Sequence, residues 1–461
     1  MGDITKILNC SKEALLSHLS AINVTGSNIA NVDTPGYTRL RPMFSSTGTR
    51  ATGDIQIGVE IESIQRIYDK FLDSQIVKQE QIGGFTDAQY SYLQQIETIF
   101  NESSETGLND AMNKFWSAWG DLSLNPSGQA EREALVAVSE SMALMFRQKS
   151  EQLTELQDDI NSAIPGTVDE INSITSKIAA YNHDIMNSLT GGAGTGDLED
   201  KRANLMNDLA ALTDFFYVED SEGSFSVFLA DGRPLVEGDN SWQLGTQIDP
   251  ADSRSYDIIY AEDGTNIDRL ITGGKLAGYL EMRDVKIEGY LADFNSLAVG
   301  LANAVNTQHR LGYDTYGNAG ADFFEFSGSV QDAAHLQVSS AISGNSGLIA
   351  ASGSINADGE NATEIGALKD DLLMDGNLSS FNTFYSSFIG RIGQDVNSLS
   401  STNDRQSAIL MQLQEQRETI SGVSLDEEMM NLMKFQMGYN AAARLATTAE
   451  ELMDTLINMA S

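Results

Sequence analysis

Cysteine is almost missing from this chain. Cys10 alone in 461 residues excludes an internal disulfide framework and any multi-cysteine metal site. Its place near the start of a helical pattern leaves two readings, a small packed side chain or a reactive thiol. Histidine is nearly as scarce. His18, His183, His309 and His335 lie far apart, without the short spacing that ligand pairs need, and read as solvated or helix-face side chains. Basic residues are few as well: 28 Lys plus Arg face 66 Asp plus Glu, a formal charge of -38. That balance repels phosphate backbones, so nucleic acid is not an expected partner, whereas basic surfaces and other proteins are. Long apolar runs are also lacking. The opening "MGDITKILNCSKEALLSHLSAINV" has no signal-peptide core, and no segment approaches the roughly 20 apolar residues of a membrane span. The chain is expected to be soluble, without membrane insertion; Lys6 also breaks the myristoylation pattern.

What is abundant is helical periodicity, and it is clearest at the two ends. Leu15, Leu19, Ile22, Gly26 and Ile29 advance in steps of four and three, drawing one stripe that Ile4 and Leu8 extend backward. The stripe should stop near Asn31, because Pro35 pushes Thr34 out of the α region and Pro35-Gly36 suits the centre of a type II turn. At the other end, Ser424 and Glu427 form a capping box. Leu425, Met429, Leu432, Phe435, Tyr439, Ala442, Ala446, Ala449, Met453 and Leu456 then keep the same rhythm without a proline. Further apolar residues, Met430, Met433, Met437, Leu445, Leu452 and Ile457, fall outside that stripe, so one neighbour cannot cover this helix.

Two readings fit these helices. They complete an ordinary intramolecular bundle, or they are loose in the monomer and become ordered when copies assemble. Burying a Leu-sized side chain contributes roughly 1.5 to 3 kcal/mol, while ordering a backbone residue costs about 1 to 2 kcal/mol, so a lone pair of terminal helices is marginal.

A chain of 461 residues allows several domains. Helical stretches are expected at 75–100, 107–122, 131–163, 168–189 and 197–212, with a break at Pro165-Gly166, and again after Gly273 and over 378–420. Long antiparallel helices suggest a rod-shaped bundle. From Phe215 the texture changes to aromatic and β-branched residues punctuated by Gly, Asp and Pro, which reads as a small inserted β domain, and Val59 to Ile67 is a further β candidate. The fold class is therefore mainly α: long terminal coiled-coil helices plus an elongated helical bundle with a small β-rich insertion. The expected division is 1–40 with 424–461 as terminal coiled-coil domain, 41–214 with 272–423 as helical rod domain with minor β elements, and 215–271 as β-rich outer domain.

No constellation for chemistry emerges. "TGGAGTGDLEDKR" has two glycines, Gly191 and Gly196, at Walker-A spacing, but Asp197 stands where lysine is needed and serves better as an amino cap, with Gly192 and Gly194 in a flexible turn. Asp314 and Asp322 lack the alternating series and closing glutamate of a calcium loop, and Trp116 and Trp119, one turn apart, suit a core stack. Neither catalysis, a metal nor a cofactor is expected.

"SNIANVDTPGYTR" resembles the amino-terminal signature of flagellar rod, hook and hook-associated proteins. The segment from Gly422, with Leu425-Asp426-Glu427-Glu428, Gln436, Tyr439, Ala441 to Ala443 and Leu456, looks like the matching carboxyl-terminal signature. Interior segments, among them "FWSAWGDLSLNPSGQAEREALV", "DLEDKRANLMNDLAALTDF", "GGKLAGYLEMRD" and "NTQHRLGYDTYGNAGADFF", resemble the flagellar hook-associated protein 1 family over nearly the whole chain.

The resemblance implies a structural adaptor that forms a short helical layer between hook and filament. Its terminal helices line an inner tube, and its β-rich region faces outward. Implied partners are other copies, the hook protein, the second hook-filament junction protein and an export chaperone at the carboxyl-terminal region. It also implies an extracellular place in the flagellum, reached by type III export without a cleaved signal. Within that picture Gly26, Ser27 and Ala30 allow close helix approach, Asn28 and Asn31 cap or bridge neighbours, and the Pro35-Gly36 turn leads the chain out of the tube. A hook or rod subunit, an enzyme displayed on the flagellum and a cytosolic helical scaffold are the competing readings; the interior segments weigh against the first, and the missing catalytic constellation against the second.

Overall fold

The computed structural model describes residues 2–46, 58–102, 107–190, 194–220, 223–250, 254–355 and 358–460. Helix α1 (Gly2–Ala30) leads through a turn into the antiparallel hairpin β1 (Leu40–Ser46) and β2 (Val59–Arg66). Helices α2 (Lys70–Ile99), α3 (Leu108–Leu124), α4 (Gln129–Thr190) and α5 (Gly196–Leu212) build the body. Two small sheets follow, β3 (Phe216–Glu219), β4 (Phe225–Phe228), β5 (Pro234–Glu237) and β6 (Asn240–Ser241), then β7 (Leu244–Ile248), β8 (Tyr256–Tyr260) and β9 (Thr265–Asn266). The chain returns through α6 (Gly274–Glu281), a π-helical turn at Met282–Ile287 and α7 (Glu288–His309). A short pair β10 (Phe324–Phe326) and β11 (Leu336–Val338), α8 (Ser340–Gly344) and α9 (Glu360–Ala367) precede the long α10 (Phe381–Ser421) and α11 (Leu425–Ala460). The architecture is mainly α, with 67% of the described residues helical.

Local sequence explains most boundaries. Asp69 caps α2 by accepting from the amides of Phe71 and Leu72 at 2.9 and 3.2 Å, and Ser380 caps α10. The Thr34–Tyr37 turn closes with a 3.1 Å bond, and Gly36 takes the left-handed φ of +78° that a type II turn requires. The body core is aromatic: Trp116 stacks on Phe381 and Trp119 tilts against Phe323, each ring buried but facing its own partner rather than the other tryptophan.

Two expectations are corrected. The break at Pro165-Gly166 does not occur, and α4 runs unbroken past Pro165. A mid-helix proline costs about 3 kcal/mol, but Ile160, Ile164, Val168 and Ile171 are buried on both sides of it, at roughly 1.5 to 3 kcal/mol each. Asp197 is not the cap of α5; Thr195 holds that position, and Asp197 pairs with Lys201 one turn on at 2.7 Å. Gly191 and Gly192 lie outside the described residues.

The β segment is fastened to α4 by three asparagines on that helix. Asn161 bonds the Arg254 carbonyl and the Tyr256 amide, Asn172 bonds both backbone groups of Leu244, and Asn182 bonds the carbonyls of Phe225 and Gly238. Arg283 and Arg202 donate to Asn161 and Asn182 respectively. Burial pulls the Arg202 pKa down to about 10. Val227, Leu235, Leu244 and Ile258 thereby join one core with the helices.

Candidate assembly interface

α1 and α11 lie side by side and antiparallel, since Asn28 near the end of α1 meets Glu428 near the start of α11, and His18 meets Phe435 further along. The seam between them is not the expected stripe of α1, whereas on α11 it lies within the expected stripe, at Phe435, Ala442 and Ala449. On α1 it runs through His18, Ala21, Thr25 and Asn28, while Ser17 turns to the hairpin and bonds the Val59 carbonyl at 3.0 Å. On α11 the buried positions are Glu428, Phe435, Ala442 and Ala449, spaced by seven. Gly438 lets the seam close, because a Cβ there would stand 2.5 Å from the His18 ring.

The stripe expected from sequence on α1 is therefore one residue out of phase with the seam, a rotation of about 100°. Leu15, Ile22 and Ile29 are half-buried, and Leu19 is 45% exposed. Gly26 and Ala30 face solvent, and a Cβ on Gly26 would meet nothing within 4 Å. Its smallness is not used inside the protomer. On α11, Phe435 and Ala442 are buried, Leu432, Ala446 and Met453 half-buried, and Leu425, Met429, Tyr439 and Leu456 exposed. Met430, Met433, Met437, Leu445, Leu452 and Ile457 are exposed too, with Met437 at 67%. The physical reason is packing distance: Ala21, Gly438, Ala442 and Ala449 bring the two backbones together, and apart from Phe435 the large apolar side chains stay on the flanks.

A polar cluster, missed in the sequence, locks this pair onto the body. Asn28 donates to the Leu40 carbonyl at 2.8 Å and to Glu428 at 3.0 Å, and accepts from the Tyr37 hydroxyl at 2.9 Å and the Leu40 amide at 3.0 Å. Glu428 is buried and also receives Arg39 at 2.7 Å, whose other arm holds Glu427 at 2.7 Å. Glu427 thus turns to Arg39, where a capping box would turn it back on Ser424. Burial works against the Arg39 cation, but its bonds to both glutamates outweigh that and raise its pKa. Next to it, Asp200 of α5 accepts from the Thr38 amide at 2.8 Å and from Arg66 at 2.5 Å. Arg417 of α10 donates to the Gly36 carbonyl at 3.0 Å.

The turn residues Asn31, Pro35 and Gly36 sit at the rim of this cluster. Asn31 bonds the Ser27 carbonyl at 2.9 Å, Pro35 is exposed, and a Cβ on Gly36 would strike Asn204. One signal for the cluster was available: Glu428 stands seven residues before Phe435, in the phase of the buried positions. Nothing in sequence spacing links Arg39 to residue 428 or Thr38 to residue 200.

Elsewhere the two aspartates considered for a calcium loop have structural partners. Asp314 accepts from the Tyr316 and Asn318 amides, both at 2.8 Å, inside a turn, and Asp322 pairs with Arg310 at 2.5 Å. Among the described residues no group of three His, Cys, Asp or Glu could hold a metal, and no helix is long and apolar enough to cross a membrane.

The description "Flagellar hook-associated protein FlgK helical domain" matches residues 93–324, "Flagella basal body rod protein" residues 8–38, and "Flagellar basal body rod FlgEFG protein C-terminal" residues 414–459. The chain is 30% identical to flagellar hook-associated protein 1 of Bacillus subtilis (strain 168), over 98% of this chain and 97% of that one. It is 27% identical to flagellar hook-associated protein 1 of Escherichia coli (strain K12), over 99% and 100% respectively. Among solved structures it resembles the flagellar hook junction protein FlgK from Burkholderia pseudomallei, with a TM-score of 0.67 at 17% identity, covering 75% of this chain and 100% of that one, a likeness of fold.

Proposed function

This chain belongs to the flagellar hook-associated protein 1 family, and from that premise we propose that it is a structural adaptor joining hook to filament, built into the flagellum as a short helical layer of copies. The observation that carries the reading is the mismatch at the terminal pair. Apart from Phe435, α1 and α11 close on small and polar residues and leave Leu16, Leu19, Met430, Met433, Met437, Leu445 and Leu452 exposed. Each such side chain gains roughly 1.5 to 3 kcal/mol when a neighbour covers it. A second and third copy on either side supply that cover, and contacts between unlike faces extend into a helical layer.

The same reading divides the labour along the chain. Residues 1–40 with 424–461 form the inner packing domain, 41–214 with 272–423 the rod, and 215–271 the outward β-rich part. Lateral neighbours are other copies; the hook protein and the second hook-filament junction protein are the neighbours below and above. An export chaperone shielding the exposed methionines of α11 before assembly, and an extracellular place reached without a cleaved signal, belong to the reading as well. The protein acts by packing and is not an enzyme. The rod-protein matches at the two ends also suit a rod or hook subunit, and the match over 93–324 favours the hook-associated reading.

Deleting the gene should leave hooks without filaments and release filament subunits into the medium; normal filaments would reject the adaptor role. Met437→Asp tests the surface itself. Its side chain is exposed in the protomer, so the melting temperature should stay within the usual ±0.5 kcal/mol equivalent of a surface change, while complementation of the deletion fails. Full complementation would show that this face is not used.

A further inference from the structure

His18 is a titratable side chain set inside the seam of the terminal pair. Its ring centroid lies 6.0 Å from Phe44 of the hairpin and 6.4 Å from Phe435 of α11, and those two rings stand 5.7 Å apart. The imidazole thus closes an aromatic triangle where α1, α11 and the hairpin meet. Gly438 of α11 also lies against the ring, so near that a Cβ there would come 2.5 Å from Cε1 and 2.6 Å from Nε2. Nδ1 is buried and has no hydrogen-bond partner among the described residues.

A neutral imidazole suits that place, because one ring nitrogen stays bare. An imidazolium does not. It carries an N–H on each nitrogen, the one on Nδ1 meets no acceptor, and the charge loses its water. No nearby group compensates. On α1 the nearest charges in sequence, Lys12 and Glu13, are exposed and more than a turn away. On α11 Lys434 stands one turn before Gly438, exposed and of the same sign as an imidazolium, and on the hairpin Arg41, Glu60 and Glu62 are exposed. Glu428 and Arg39 hold each other at the Asn28 end of the seam. Burial alone lowers the His18 pKa.

We propose that His18 is an acid-sensitive latch on the terminal pair: neutral, it lets α1 and α11 close, and protonated it parts them. With the pair open, the ring sits in water and takes its proton near pH ~6.5, whereas the closed seam resists protonation. Closure is therefore complete above that pH and weakens as pH falls, by at most about tenfold per pH unit for a single proton. The margin against that loss is small, since Ala21, Thr25, Ala442 and Ala449 contribute little apolar area to the seam. The consequence for assembly rests on the layered reading above. Copies whose ends have parted no longer present the paired helices, so acid should disperse layers and neutral pH restore them.

Amide exchange over α1 and α11 of the full-length monomer, corrected for the intrinsic rate, reads the latch. Between pH 7 and pH 5 protection of both helices should fall about tenfold. His18→Phe keeps an aromatic ring, and His18→Gln is uncharged and small enough to sit against Gly438; in each, protection should change less than about twofold over the same range. His309 and Glu428 titrate alike in all three proteins, so the difference belongs to His18. Parallel loss in the wild type and both variants, or no loss in the wild type, overturns the proposal. Sedimentation of assembled layers separates the two ideas: layers that disperse at pH 5 in the wild type and persist in a His18 variant support the latch within the assembly. Layers that ignore acid although the free ends loosen leave the latch standing and count against assembly through the terminal pair.

Discussion

His309 is sealed in the body between two backbone groups. Its Nδ1 donates to the Ala321 carbonyl at 2.5 Å, and its Nε2 accepts from the Ala350 amide at 2.8 Å, which fixes the tautomer. Burial lowers its pKa to about 4. In the unfolded chain the ring titrates near ~6.5, so on acidification the unfolded state takes the proton first. The stability this residue contributes is whole above pH ~6.5 and is lost progressively as pH falls toward 4, about 3 kcal/mol in all. His309→Gln keeps a donor and an acceptor but does not titrate. Denaturant midpoints measured from pH 7 to 4 should therefore fall less steeply in the variant, and parallel slopes would refute the assignment. Asp73, Asp208 and Asp268, whose pKa values burial raises, act with the opposite sign but equally in both proteins. The expectation of solvated or helix-face histidines suits His183, which is exposed; His309 does lie on a helix, α7, but buried, with backbone partners 12 and 41 residues downstream that no ligand-spacing rule could find.

Among the elements, the contrast between two glycines separates protomer from assembly. Gly438 is required for the close approach of α11 to His18, so Gly438→Ala should destabilise the terminal pair by about 1 to 3 kcal/mol, the usual cost of overpacking. Faster amide exchange over α1 and α11 would report it. Gly26 faces open space, so Gly26→Ala should leave the protomer unchanged or more stable by up to about 1 kcal/mol through helix propensity. If copies pack against it, layer formation should suffer all the same; undisturbed layers would mean that its smallness serves nothing. Substitutions at Leu432 or Ala442 are less informative, since both lie toward the seam and would injure the protomer first. Helix periods, the Pro35-Gly36 turn and the β texture after Phe215 were legible because they are local. The phase of the seam on α1 was not, because reading for the greasiest stripe finds a face that remains for neighbours, while the intramolecular contact uses Ala21, Thr25 and Asn28; on α11 the expected stripe does hold the seam positions Phe435, Ala442 and Ala449. The same limit hid the Asn161, Asn172 and Asn182 fastenings. Asn182→Ala leaves the Phe225 and Gly238 carbonyls without that donor and should cost about 1 to 3 kcal/mol, seen as faster exchange in β4 and β5.

For the molecule as a whole, the large aromatic core and the terminal pair differ in how much they bury. The body holds Trp119, Phe146, Phe294 and Phe323 fully enclosed, whereas most large apolar residues of α11 remain in contact with water. Amide exchange on a free monomer should accordingly show the ends opening well before α4 and α7, and assembly should slow their exchange. Equal protection of ends and body in the monomer would favour the intramolecular-bundle reading. Mainly-α architecture and the family resemblance were both visible in the sequence, since each depends on residues near one another along the chain. The joint between the terminal pair and the body was not, being made of Asn28, Arg39, Asp200, Arg417 and Glu428, which only folding brings together.

The antiparallel marriage of α1 with α11 has a consequence for quality control. A product truncated or clipped on either side lacks one half of the seam, so its remaining end helix has no mate and the Arg39–Glu428 anchor cannot form. Such fragments would be poor competitors for a growing layer, and the organelle would admit only subunits whose two extremities have both survived.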